Sequence, residues 1–314
     1  MFTIEPEKLF SGDIRTISRA ISLVENGQEG AEDLLDQIYG RLGNAYRIGV
    51  TGPPGGGKST LVDRLVSLYR EADKTVGVIS IDPTSPFTGG ALLGDRIRMG
   101  RHTGDSGVYI RSMATRGSLG GLSVRAQEAG DILDAAGKDI VIFETVGVGQ
   151  VELDIADTAD TTLVVLVPES GDEVQAMKSG LMEIADIFVL NKSDRDGADR
   201  AYVELSSILE LNSHKESEWI VNILKTSALN SEGIAEIKDE IQRHYEHLSS
   251  DGELRSKRQR RYQHRVQEVV RYRLDEIFWT EERKQILRNA IEQIDSNVKS
   301  PYALAGQLIE TLAS

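Results

Sequence analysis

The stretch Gly52-Pro53-Pro54-Gly55-Gly56-Gly57-Lys58-Ser59-Thr60 constrains this chain more than any other. It matches G-x-x-x-x-G-K-[ST], with Gly52, Gly57, Lys58 and Ser59 in the fixed places. Such a loop needs a strand before it and a helix after it. Ile48–Val50 supplies an apolar strand, and Leu61, Leu65 and Leu68 recur at helical spacing behind it. Glycines let backbone N–H groups turn inward around phosphates, and the helix N-terminus adds positive potential. In that frame Pro53, Pro54, Gly55, Gly56 and Thr60 complete the cradle. Lys58 reaches the β- and γ-phosphates, and the Ser59 hydroxyl ligates Mg²⁺.

The pattern around this loop sets the fold class. Short apolar runs alternate with longer amphipathic ones from Tyr46 onward: Tyr46–Val50, Thr75–Ile81, Val108–Ile110, Ile140–Phe143, Thr162–Val167, Ile187–Leu190 and Ile220–Leu224. Helical stretches separate them, at Ser59–Tyr69, Val124–Ala135, Asp172–Ile184 and Ala198–Leu211. Strand–helix alternation predicts an α/β, P-loop NTPase architecture, a mostly parallel sheet with helices on both faces. Three regions follow: an N-terminal helical extension over 1–44, a nucleotide domain over 45–248 and a C-terminal helical region over 249–314. The last opens after Ser249-Ser250-Asp251-Gly252 with a long helix from Glu253 to about Trp279. Its stripe of Val266, Val269, Val270, Leu274, Ile277 and Phe278 is expected to pair with a second subunit.

Charge and composition exclude several classes. Lys plus Arg number 36 and Asp plus Glu 50, a net charge of −14. That balance disfavours non-specific nucleic-acid binding and docking on anionic lipid. There are no cysteines, so disulfides, zinc thiolates and cysteine nucleophiles are ruled out. The five His are scattered, and His244 and His247 are expected on the surface of a polar helix. No apolar run is long enough to span a bilayer and no secretory signal is visible, so a cytoplasmic location is expected.

Three further motifs fall at strand ends. Asn191-Lys192-Ser193-Asp194 follows Ile187–Leu190 and has the form N-K-x-D. The Asp194 carboxylate can accept hydrogen bonds from guanine N1–H and its 2-amino group, whereas adenine has no donors at those positions. Lys192 would stack its stem on the base, and Asn191 would hold the loop. Thr226-Ser227-Ala228-Leu229, one strand later, would turn the backbone amides of Ser227, Ala228 and Leu229 toward guanine O6. Phe143-Glu144-Thr145-Val146-Gly147 ends an apolar strand in an acid with a glycine three residues on. The acid orients Mg²⁺, and the Gly147 amide senses the γ-phosphate. Val148 stands where many small GTPases carry a catalytic Gln, so the water-positioning group comes from elsewhere or turnover is slow.

Taken with Ser80–Ser85, Ala91–Met99, Arg111–Gly117 and Glu144–Gln150, these residues resemble the GTPase chaperones of adenosylcobalamin-dependent acyl-CoA mutases, the MeaB/ArgK/MMAA group. The resemblance implies a homodimeric GTPase that hydrolyses GTP to GDP and phosphate. It implies a methylmalonyl-CoA mutase-type partner, whose cofactor loading and protection the GTPase would serve. By position it makes Ser59, Asp82, Asp95 and Glu144 the Mg²⁺ and hydrolysis set, with Lys58 catalytic. It puts Gln150 and Lys178 in partner-responsive switches. Five arginines between Arg96 and Arg116 could serve transition-state charge, an acidic partner or a solvated face. A metallocentre-assembly GTPase would need His or Cys clusters, which are missing. A small-molecule kinase would not need Asn191–Asp194.

Overall fold

The computed structural model describes residues 4–82, 100–102, 104–114, 124–146, 151–168, 180–212, 219–292 and 299–311. Seven parallel strands form one sheet in the order β3-β2-β4-β1-β5-β6-β7. They are β1 Tyr46–Thr51, β2 Val76–Asp82, β3 Val108–Ala114, β4 Ile140–Thr145, β5 Thr161–Leu166, β6 Ile187–Leu190 and β7 Asn222–Lys225. The α/β expectation holds. Strand β7 begins two residues later than the sequence predicts, and Ile220, outside it, is exposed.

Three short helices precede the sheet: α1 Pro6–Phe10, α2 Ile14–Glu25 and α3 Ala31–Ile38. Asp13 caps α2 by accepting the Thr16 amide at 2.8 Å. Then come α4 Lys58–Glu71, α5 Val124–Ala135, α6 Val151–Thr158, α7 Leu181–Ile184, α8 Ala198–Asn212, α9 Ile234–Ser250, α10 Glu253–Phe278, α11 Glu281–Glu292 and α12 Pro301–Glu310. Helix α6 is a short element that periodicity did not predict. Of the predicted helix Asp172–Ile184, only the final turn lies among the described residues.

Period-two alternation sorts the strands between two faces. Ile140 and Ile142 join a core with α4 and α9, while Val141 and Phe143 join α2, α3 and α5. A third cluster holds Val164, Leu166, Phe188 and Leu190 with Leu205 of α8. The N-terminal helices share the second of these cores through Leu9, Ile17, Ile21 and Leu34. Buried Asp134 accepts the amides of Gly43, Asn44 and Ala45 at 2.8, 3.1 and 3.0 Å, which fixes the entry of the chain into β1.

The chain divides into two compact units, Met1–Lys257 and Arg258–Ser314. No helix among the described residues is long and apolar enough to cross a membrane.

Candidate functional site: a phosphate loop tied to a base loop

The site forms where strand order reverses about β1, with β4 on one side and β5 on the other. Gly52 leaves β1 with φ +131°, and a Cβ there would lie 2.1 Å from the Val165 carbonyl oxygen of β5. Gly57, at φ +86°, caps α4, and its absent Cβ leaves room for the Asn191 carboxamide. These are backbone approaches that only glycine permits. Lys58 is buried, and its ammonium donates to the carbonyls of Gly52 at 2.6 Å and Pro53 at 2.9 Å. A buried charge of this kind must be neutralised locally, and loop carbonyls hold it where anionic phosphate would pair with it.

Alternation explains the acid beside the loop. Glu144 follows Ile142 by two residues and so faces α4, whose first turn carries Ser59. The Ser59 hydroxyl donates to Glu144 Oε1 at 2.5 Å, and the Ser80 hydroxyl donates to Oε2 at 3.3 Å. Ser80 is the register partner of Glu144, and Asp82 lies two residues further on the same side of β2. Glu144 is buried and Asp82 half-buried. Hydroxyl and carboxylate oxygens converging here are the donor chemistry a hard divalent cation takes, so Mg²⁺ fits. Asp95 and Gly147 lie outside the described residues, as do Gln150 and Lys178. Among the described residues no cluster of three His, Asp or Glu forms a separate metal site.

The base loops are joined to the phosphate loop by one side chain. Asn191 is buried, and its Nδ2 donates to the Gly56 carbonyl at 2.8 Å. Its Oδ1 accepts the Ala228 amide at 3.0 Å and the Thr226 hydroxyl at 3.3 Å. Lys192 adopts φ +58°, which turns the chain between Asn191 and Asp194. Asp194 is exposed; the Ser227 hydroxyl and its own backbone amide hold its carboxyl below the usual range. Arg64, five residues after Ser59 on α4, was not apparent from the sequence. Its Nε donates to the Ala228 carbonyl and its Nη2 to the Leu229 carbonyl, both at 3.2 Å. No motif or spacing in the sequence marks it.

The arginine cluster divides, and one expectation needs correction. Of the five arginines, Arg101 pairs with Asp63 at 3.1 Å and Arg111 with Glu25 of α2; Arg96, Arg98 and Arg116 lie outside the described residues. Arg111 shares the β3 face of Tyr109 and Met113, which α2 covers, and its ion pair ties that strand to α2. His244 is buried rather than on the surface. Its Nδ1 lies 2.8 Å from the Thr161 hydroxyl, its ring packs on Trp219, and burial pushes its pKa down to about 4.

Comparison with known proteins agrees with this geometry. Residues 17–283 match the model of a family described as methylmalonyl Co-A mutase-associated GTPase MeaB. A protein of Pyrococcus abyssi whose name places it among GTPases is 49% identical over 98% of this chain and 95% of its own length. GTPase ArgK of Escherichia coli is 36% identical over 96% of this chain and 94% of its own. The mouse homologue of methylmalonic aciduria type A, a mitochondrial protein, is 36% identical over 82% of this chain and 66% of its own. A crystal structure described as a LAO/AO transport system kinase superposes with a TM-score of 0.74 at 31% identity, covering 98% of this chain and 96% of that one.

Proposed function

The chain belongs to the MeaB family of GTPases, and from that membership we propose that it hydrolyses Mg²⁺-bound GTP while serving as chaperone to an adenosylcobalamin-dependent acyl-CoA mutase of the methylmalonyl-CoA mutase type. The observation that carries the nucleotide half is the Asn191 bridge. One carboxamide spans Gly56 of the phosphate loop and Ala228 of the base loop, so phosphate and guanine are read by one connected unit. The mutase half is supported by the family's name and by the name of the mouse relative.

Each residue then has a task. The loop Gly52–Thr60 wraps the phosphates with backbone N–H groups. Lys58 supplies positive charge to the β- and γ-phosphates. Ser59, Glu144, Asp82 and Asp95 would hold Mg²⁺, directly or through water. The cation, when bound, neutralises charge that develops on the phosphate oxygens. The Gly147 amide senses the γ-phosphate. Asn191, Lys192 and Asp194 with Ser227, Ala228 and Leu229 select guanine. Gln150 and Lys178 answer to the mutase, and two copies of the chain act as a homodimer.

Two measurements test this. In competition binding with Mg²⁺, GTP and GDP bind and ATP does not displace them; equal binding of ATP and GTP overturns the guanine reading. In a pull-down from native lysate with a GTP analogue, an acyl-CoA mutase co-purifies and is lost when GDP replaces the analogue. Failure to retain a purified acyl-CoA mutase in either nucleotide state overturns the chaperone role and leaves the GTPase intact.

A further inference from the structure

Arg64 stands between the two halves of the site and belongs to neither motif. It is half-buried on α4, the helix that begins at Lys58, and its guanidinium reaches the turn at Ala228 and Leu229. Two donors of one rigid, planar group hold two successive carbonyls, both at 3.2 Å. The consequence lies in the peptide that joins these residues. A trans peptide is planar, and its C=O and N–H point to opposite sides. Fixing the Ala228 carbonyl therefore fixes the Leu229 N–H in the opposite direction. The Ala228 N–H already donates to Asn191 Oδ1 at 3.0 Å. A guanine O6 consequently falls to the next amide along, that of Leu229, whose side chain is exposed. The Ser231 amide also donates to the Ala228 carbonyl, at 3.4 Å, a longer bond than either from Arg64.

We propose that Arg64 is a positioning residue for base specificity, which orients the Leu229 amide toward O6 of a purine nucleotide from the back of the turn. The inference rests on the guanine reading given above. Because Arg64 shares a helix with Ser59, the O6 donor is registered to the metal end of the phosphate loop.

The discriminating ligand is the diphosphate of 6-thioguanosine, which keeps the N1–H and the 2-amino group and replaces O6 by sulfur, a weak acceptor. Affinities for GDP and for this analogue are measured by calorimetry with Mg²⁺, in the full chain and in Arg64→Ala and Arg64→Lys. In the unaltered chain GDP binds more tightly. Arg64→Ala weakens GDP by about tenfold, as expected for loss of charge-assisted hydrogen bonds, and leaves the analogue within about twofold. Arg64→Lys, able to hold one carbonyl, falls between. If GDP and the analogue weaken equally, or GDP does not weaken, Arg64 has no part in specificity. If the unaltered chain already fails to prefer GDP, the guanine reading fails with it. Should Arg64→Ala not fold, the GDP-to-analogue ratio in Arg64→Lys decides: a reduced ratio supports the assignment and an unchanged one overturns it.

Discussion

In the proposed function a single carboxylate, that of Asp194, is what separates guanine from adenine. Its partners hold it in the ionised form: the Ser227 hydroxyl and its own amide favour the charged state, so its pKa lies below the ordinary aspartate range. Guanine binding is therefore expected to persist as pH falls toward 4 and to weaken only below it. Asp194→Asn removes the anionic acceptor and presents an N–H donor to guanine's own donors. GDP affinity should fall roughly 10- to 100-fold, the scale of one charge-assisted hydrogen bond plus a mismatched donor. Calorimetry reads this directly, and an unchanged affinity would remove Asp194 from base reading. At His244 burial is the cause that dominates. Tyr46 OH, the Thr161 hydroxyl and His244 Nδ1 form a chain at 2.5 and 2.8 Å. With Nδ1 accepting, Nε2 carries the proton and faces Asp186 at 3.5 Å. Burial lowers the pKa more than Asp186 and Asp160 raise it, and Lys257 and His247 push the same way as burial. The folded pKa, about 4, is below the ordinary 6.5. The unfolded chain thus takes up the proton first. The stabilisation is whole above pH 6.5 and is lost as pH falls toward 4, by at most about 3 kcal/mol. Comparing Tm against pH for the chain and for His244→Gln isolates this effect. Parallel curves between pH 4 and 6.5 would show that His244 does not titrate as argued.

At the scale of elements, Asn191 couples three loops that lie far apart in sequence. Removing its carboxamide in Asn191→Ala leaves the Gly56 carbonyl and the Ala228 amide without their partner in a buried place. Each lost partner costs about 1–3 kcal/mol. The variant should therefore lose GDP affinity and melt at lower temperature together, and it should weaken pyrophosphate as well as guanosine, because the phosphate loop loosens too. Retained pyrophosphate affinity would mean that the two loops are independent. This element-level picture was partly legible beforehand. Lys58, Ser59 and Asn191–Asp194 could be read because each motif sits at a strand end, where period-two alternation ceases and a turn begins. The pairing of Glu144 with Ser59 follows from the same alternation once β4 is known to lie beside β1. What spacing could not give were contacts decided by tertiary packing. Arg64 reaches a loop 164 positions away. His244 reads as surface in a polar helix until Thr161 and Trp219 are set against it. Asp63 of α4 is similar: buried, it meets Arg101 and His102 at 3.1 Å, and only the fold brings those two histidine and arginine side chains back to the phosphate-loop helix.

At the scale of the whole molecule, the unit Arg258–Ser314 sets a different problem. Helix α10 has 26 residues and none of them is buried. Val266, Val270, Leu274 and Ile277 fall on one stripe at helical spacing and are 42, 49, 60 and 65% exposed. A continuous apolar stripe of this length is more than a solitary surface usually keeps in water. Burying half of each side chain would return about 1 kcal/mol apiece. In a two-fold arrangement every contact is made twice, so four residues contribute as eight. That gross gain is of the size needed to offset the cost of immobilising two chains against each other. Two copies of the chain are therefore expected to associate through α10. Replacing Val266 and Val270 together by Glu places four carboxylates in the paired stripe, where they repel and resist desolvation. Sedimentation velocity should show a dimer for the chain and a monomer for Val266→Glu/Val270→Glu. GDP affinity should stay within about twofold, because every described residue of the nucleotide site lies in Met1–Lys257. A chain that sediments as a monomer at tens of micromolar would refute the association. A double variant that stays dimeric would move the contact off this stripe, to the exposed Ile291 of α11 or to Tyr302 and Ile309 of α12. The same sequence that builds the core of Met1–Lys257 thus leaves an apolar stripe on α10, and the double variant tests whether a second copy covers it.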